Sequence, residues 1–337
     1  FLNSIIYKSF KILNSFFLIY NLYNLNKYIN NDELSNYYIN NIKKNIDSIG
    51  VFGIKLIQWG LDRVKTIYDE KNINKIYDQF EKYYENCDYH DFEYTKELYY
   101  RDFDSNILDD FEIDRKPIAS GSIGQVYKGW YKNKLYKGKK IEVAIKVVHP
   151  NIKNQISVPK NILLFFNKLT NIFSCLNDYR SIINISDFFE NLKNQIDLNI
   201  ESNNMRKMKK NYEDNSFIVI PKVYKNSDNI IVMSYEEGKF YEDMNLSDYQ
   251  KFKIITLLRL YLNSSSVVDN FVHTDLHNGN WKVRKHPLYN NVFQIILLDF
   301  GLCSKLKDSN FINKLHESFE TNNIKLSLKI ILEYNKD

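Results

Sequence analysis

His273-Thr274-Asp275-Leu276-His277-Asn278-Gly279-Asn280 is the stretch whose reading decides the fold. It fits the spacing H-x-D-x-x-x-x-N, an aspartate followed five residues later by an asparagine. An Asp placed this way can orient or deprotonate an acceptor hydroxyl. The Asn offers a hard oxygen of the kind Mg²⁺ takes. A polar loop in which Asp275 only caps a helix would show the same residues, so the neighbouring sequence has to decide. Nineteen residues after Asn280 stands Asp299-Phe300-Gly301, behind the apolar run Ile295-Ile296-Leu297-Leu298. A buried strand that delivers an Asp into a Gly turn is a way to present a second metal ligand. The residues between, 282–294, read as a lengthened hairpin.

Working outward, Val143-Ala144-Ile145-Lys146 alternates so that Val143 and Ile145 share one strand face and Ala144 and Lys146 the other. Lys146 is expected to contact phosphate, and the small Ala144 leaves room for an adenine ring. Ahead of it lies Ile118-Ala119-Ser120-Gly121-Ser122-Ile123-Gly124-Gln125-Val126. Its small residues let backbone N–H groups approach phosphate oxygens, although alone it would suit an ordinary hairpin turn. A Glu on a helix between Lys146 and the next strands should pair with that lysine. Glu201 is the choice, with Asp197 four residues before it on the same helix face. Met233-Ser234-Tyr235-Glu236-Glu237-Gly238 follows the strand Ile230 to Val232 and reads as an interlobe hinge, with Ser234, Tyr235 and Glu236 along the adenine edge.

Residues 1–48 and 50–100 read as helical, the strand character begins at 111, and residues 155–210 read as two helices broken near 177–180. Short strands return over 217–235. A helix is predicted from the N-cap Ser247 to Val268, then the strand at 295–298, then more helix. The predicted fold is α+β and two-lobed, of the protein-kinase-like type. A helical extension spans 1–105, a β-rich N-lobe 106–235 and an α-helical C-lobe 236–337, expected to be truncated. No internal repeat is present.

The 337 residues carry Lys+Arg 46 against Asp+Glu 41, net +5, with the basic residues spread along the chain. That gives no nucleic-acid footprint. Cys87, Cys175 and Cys303 are far apart, with no metal or disulfide spacing, which fits a reducing compartment. The sequence starts at Phe1, so a fragment lacking a targeting peptide is expected. Residues 12–25 hold a strongly apolar run, interrupted by Asn14, Asn21 and Asn24. It reads as a packed amphipathic helix, with membrane contact as the other reading.

Taken in order, these motifs resemble the UbiB (aarF-domain, ADCK-type) atypical kinases over residues 50–305. Ala119 to Val126 looks like that family's alanine-rich loop, and Val143 to Pro150 like its V-A-x-K-V-x-H-P. Gln195-x-Asp197-x-x-x-Glu201 looks like its Glu/Gln-x-Asp motif, and Lys55-x-x-Gln58 is similar to its K-x-G-Q signature. Ile57 stands in place of that Gly, and Ser120 and Gly121 where alanines are common. The resemblance implies binding of ATP (or ADP) and Mg²⁺ and kinase or ATPase chemistry. Asp275, Lys146, Glu201, Lys55 and Gln58 would act in catalysis. Asn280 and Asp299 would hold the metal, and Ala119, Ser120, Gly121, Ser122, Ile123, Gly124, Val126, Ala144, Ser234, Tyr235 and Glu236 the nucleotide. It also implies a lipid or quinone-precursor ligand, a membrane surface, other quinone-biosynthesis proteins as partners, and a mitochondrial or plastid location. Aminoglycoside- or choline-kinase-type phosphotransferases share H-x-D-x-x-x-x-N and stay an alternative, as does a nucleotide-binding pseudokinase scaffold.

Overall fold

Amide-rich helices before residue 50 and alternating apolar runs after 111 separate clearly in the computed structural model. It describes residues 2–55, 57, 74, 76, 79–80, 89–136, 138–152, 185–305, 310–321, 325–327 and 329–330. The chain divides into two units, one of residues 1–140 with 144–196, the other of 141–143 with 197–337.

In the first unit, α1 (Leu2–Lys27) packs on α2 (Asp32–Ile49). Asn31 caps α2 by accepting from the Leu34 N–H, and Asp32 and Glu33 lie in its first turn, where a helix N-terminus favours negative charge. The core between them joins Leu18 and Leu25 to Ile39, Ile42, Ile46 and Ile49. The helix expected at 12–25 forms, but its inward face mixes amides with leucines and its outward face is partly aromatic. Asn21 and Asn24 turn inward, while Phe16, Phe17, Tyr20 and Tyr23 are exposed. The inward amides are satisfied. Asn21 Nδ2 donates to Asn45 Oδ1 at 2.9 Å and to the Phe17 carbonyl at 2.8 Å. Asn24 Nδ2 donates to the Tyr20 carbonyl. Buried amides cost little once paired. Among the described residues no helix is long and apolar enough to cross a membrane. Ile46 is fully buried. Ile46→Ala should cost about 2–5 kcal/mol, read as a lower urea midpoint.

The unit continues through α3 (Phe92–Phe103), capped by Asp91, and α4 (Ile107–Asp110), capped by Asn106. Then come β1 (Phe111–Ile113), β2 (Ala119–Ser120), β3 (Gly124–Tyr136) and β4 (Lys139–Val148). Both β1 and β2 pair antiparallel with β3. The first register puts Phe111 opposite Tyr131, the second Ser120 opposite Gln125. On the other edge of β3 lies β4. Further along, α5 (Ile185–Ile196) adds Phe189, Leu192 and Ile196 to the helical core.

In the second unit, residues 141–143 of β4 run beside β7 (Ile230–Ser234), and β7 pairs antiparallel with β6 (Val223–Asn226). Before them stands α6 (Leu198–Asn211). A separate sheet sets β5 (Ile218–Val219) parallel to β10 (Phe293–Leu297), and β10 antiparallel to β9 (Trp281–Lys285). These two strands are the expected lengthened hairpin. Ser247 caps α7 (Asp248–Asn263) in a full capping box with Gln250. The helix then widens into a π-turn over Ser264–Val268, so it ends where the sequence predicts. β8 (Val272–His273) pairs with β11 (Cys303–Ser304), and α8 (Phe311–Glu320) follows. Trp281, Ile295, Leu297, Phe300, Met205 and Ile254 share one core.

The break predicted near 177–180 lies outside the described residues. A further break falls at Asp197. Its side chain accepts from the Asn199 N–H at 3.0 Å and caps α6. It therefore ends one helix and starts the next instead of sharing a face with Glu201. Short acidic side chains compete for free backbone N–H groups, and here that competition wins.

Candidate functional site

The two halves of the deciding stretch are tied together by backbone. His273 faces Cys303 across the β8–β11 pair, which brings residues 274–280 beside residues 299–302. The Thr274 N–H donates to the Leu302 carbonyl at 3.0 Å, and the Leu298 N–H to the Asn280 carbonyl at 2.8 Å. His273 is buried, and its Nε2 donates to the Leu298 carbonyl at 3.0 Å. A carbonyl can only accept, so the ring carries its proton on Nε2. That leaves Nδ1 to accept from the Asp275 N–H at 3.3 Å. The Phe300 ring stands edge-on to the His273 ring.

Asn280 is buried, and its Nδ2 donates to the Asp275 carbonyl at 2.7 Å. The carbonyl again fixes the orientation of the amide. Oδ1 is left free of any donor among the described residues. Asp299 has φ 53, in the left-handed region, and its Oδ1 accepts from the Gly301 N–H at 3.3 Å. Non-glycine residues in that region mark a locally imposed conformation. One amide oxygen and one carboxylate form a hard-oxygen donor set. It suits Mg²⁺, which draws its remaining ligands from water and phosphate. No cluster of three or more His, Cys, Asp or Glu that could hold a metal occurs among the described residues.

Glu201 sits in the first turn of α6, 1% exposed. Three residues on, Asn204 Nδ2 donates to the Phe300 carbonyl at 2.9 Å, which links α6 to the Asp-Phe-Gly turn. Sequence reasoning missed Asn204, because a lone Asn in an Asn-rich helix carries no signal. The Cys303 thiol is pushed up to about 12 by burial first and by the negative charges of Glu201 and Asp299 next.

The hinge residues are engaged within the second unit. The Tyr235 N–H donates to the Glu142 carbonyl at 3.2 Å. Ser234 Oγ donates to Glu236 Oε1 at 2.8 Å, and Arg284 Nη1 to Glu236 Oε2 at 2.9 Å. Ser234 and Glu236 thus anchor the segment to β9. The Glu236 and Glu237 N–H groups donate to nothing among the described residues.

In the first unit, Ala144 is 7% exposed and Lys146 half-buried on β4. Ala119 and Ser120 form β2, Gly124 and Val126 belong to β3, and Gly121, Ser122 and Ile123 make the turn between. Ile123 packs against the helical core, and the Ser122 and Ile123 N–H groups donate to nothing among the described residues. Backbone amides without a protein partner are what an anion-binding loop requires. Lys55 is half-buried on a helical segment; Gln58 lies outside the described residues.

Comparison with known proteins agrees with this pattern. Residues 82–331 match the model of the ABC1 atypical kinase-like domain. The chain is 28% identical over 295 residues to the probable serine/threonine-protein kinase abkC of Dictyostelium discoideum, covering 81% of this chain and 41% of that one. It is 31% identical over 208 residues to the probable protein kinase UbiB of Histophilus somni, covering 59% and 37%. The mitochondrial ABC1 family protein C21C3.03 of Schizosaccharomyces pombe is 25% identical over 275 residues, covering 71% and 38%. The chain thus spans well under half the length of these relatives. Among solved structures, Rv3197 of Mycobacterium tuberculosis, determined with erythromycin, is similar with a TM-score of 0.56. It is 16% identical, and the match covers 82% of this chain and 67% of that one. With the family model spanning residues 82–331, the chain belongs to the ABC1 (aarF/UbiB-type) atypical kinase-like family and has its protein-kinase-like α+β fold.

Proposed function

We propose that this chain binds a magnesium–nucleoside triphosphate and acts as an atypical kinase or ATPase. The observation that carries the reading is the Asn280 amide, turned by the Asp275 carbonyl so that its oxygen faces no donor, on backbone bonded to the residue before Asp299. Asn280 and Asp299 are the metal ligands in this reading, and Asp275 orients the acceptor. When bound, Mg²⁺ neutralises charge on the phosphates during transfer. The Ala119–Val126 loop, Ala144 and Lys146 serve the nucleotide, and Glu201 acts in catalysis. The hinge backbone at Ser234, Tyr235 and Glu236 serves the base.

A link to isoprenoid-quinone biosynthesis or lipid handling rests on the sequence resemblance and on the relative named UbiB. A mitochondrial location rests on the name of the fission yeast relative. The deciding assay is Mg²⁺-dependent ATP binding and hydrolysis, with and without phenolic quinone precursors or lipid vesicles. Nucleotide turnover stimulated by those additions supports the reading. Absence of any Mg-nucleotide binding refutes it. Lys55→Ala should lower turnover by about tenfold with the fold unchanged, as expected for a residue that touches the reacting groups. Unchanged binding and turnover would remove Lys55 from the site.

A further inference from the structure

His149 contacts the Ala119–Val126 loop twice. Its backbone N–H donates to the Ile123 carbonyl at 2.9 Å, and its ring Nε2 lies 2.9 Å from the Gly121 carbonyl. Among the described residues no peptide bond is cis. In a trans peptide the C=O and the following N–H point in opposite directions. Holding the Gly121 and Ile123 carbonyls therefore turns the Ser122 and Gly124 N–H groups away from His149.

The ring is itself aimed by a buried chain of hydrogen bonds with a single allowed direction. The Gly121 carbonyl only accepts, so His149 carries its proton on Nε2 and accepts on Nδ1. His90 Nδ1, 2.8 Å away, must then be the donor, and His90 Nε2 must accept from Thr95 Oγ1 at 3.0 Å. Having spent its proton, Thr95 accepts from the Tyr127 hydroxyl at 3.0 Å. Tyr127 in turn accepts from Gln125 Nε2, which also donates to the His90 carbonyl at 3.1 Å. Gln125 Oε1 accepts from the His90 N–H at 2.9 Å, which fixes the amide. Thr95, Gln125 and Tyr127 are fully buried. Each group has its partner, and reversing any one link sets two acceptors or two donors against each other. Both rings must be neutral for this order. Burial, then the neighbouring His149, lowers His90 to about 4, and burial lowers His149.

We propose that His149 is the positioning residue of the Ala119–Val126 loop: it holds the loop carbonyls so that the Ser122 and Gly124 N–H groups point away from it, as donors to a phosphate, and the Gln125–Tyr127–Thr95–His90 chain fixes the tautomer this requires. The proposal rests on the assignment of that loop to nucleotide phosphates. A buried polar chain that ends on loop backbone adds little net stability but selects one loop geometry.

The test is binding of a fluorescent ATP analogue with Mg²⁺ to the full chain and its variants, together with nitrogen NMR of the two imidazoles. Wild type should show His149 protonated on Nε2 and His90 on Nδ1. His149→Leu should bind about tenfold more weakly, from the loss of one donor to a buried acceptor. His149→Gln, whose amide nitrogen can replace Nε2, should bind within about threefold of wild type. His90→Leu should weaken binding in the same direction. Wild-type affinity in His149→Leu, no rescue by Gln, or a His149 ring protonated on Nδ1 would overturn the proposal, and the NMR result does so even if His149→Leu fails to fold. A wild-type chain that binds no nucleotide would instead refute the nucleotide reading itself, and this inference with it.

Discussion

Asp299→Asn should abolish Mg²⁺-dependent nucleotide binding while leaving the unfolding midpoint close to that of wild type. The substitution keeps the side-chain volume. It also keeps an oxygen to accept from the Gly301 N–H, which lies 3.3 Å from Asp299 Oδ1. The backbone at 299 has φ 53. Asn enters the left-handed region more readily than most residues, so the turn does not lose its conformation. What disappears is the negative charge. With Asn280 contributing only a neutral oxygen, the site loses its one carboxylate, and affinity for Mg-nucleotide should fall by more than about a hundredfold. Titration of a fluorescent ATP analogue, with and without Mg²⁺, reads this directly. Binding that is unchanged in the variant would remove Asp299 from the metal site.

Gly124→Ala should have the second large effect, and it acts through sterics alone. A Cβ at residue 124 would stand 2.3 Å from the Val147 carbonyl oxygen and 3.0 Å from its carbon. Both obstacles are backbone of β4, one residue beyond Lys146, so no side chain can swing aside. Either the loop lifts from β4 or the strand shifts. The cost should reach the upper part of the about 1–3 kcal/mol seen for overpacked sites, and nucleotide affinity should fall with it. Gly121→Ala is the matched control. Its Cβ would meet only the Gly124 carbonyl oxygen, at 4.0 Å, in ordinary contact. Thermal unfolding and nucleotide titration of the pair should separate them, with Gly121→Ala near wild type in stability. Equal stability of the two variants would contradict the packing described for this loop.

Much of the fold could be read from local chemistry. The Ser247 capping box, the alternating run ending in Val148, and the apolar strand in front of Asp299 are signals carried within a few residues, and the structure has each of them. Where the reading fell short, the deciding partner is distant in sequence. Asn21 looks like a polar interruption of an apolar helix until Asn45 meets it from α2. Asp197 fits a helix face by spacing, and only the break between α5 and α6 makes it a cap. His149 and His90 are 59 residues apart, and nothing local to either announces the other. Arg284 likewise meets Glu236 from a different strand and holds a segment whose own residues gave little side-chain signal.

In the proposed site Asn280 and Asp299 hold the metal of a bound nucleotide. The most direct test substitutes paramagnetic Mn²⁺ for Mg²⁺ in the presence of ATP and follows line broadening in nitrogen-resolved NMR spectra. The side-chain amide of Asn280 and the backbone amide of Gly301 should broaden first, and both should sharpen again in Asp299→Asn. Broadening confined to other resonances, or identical in wild type and variant, would contradict the account.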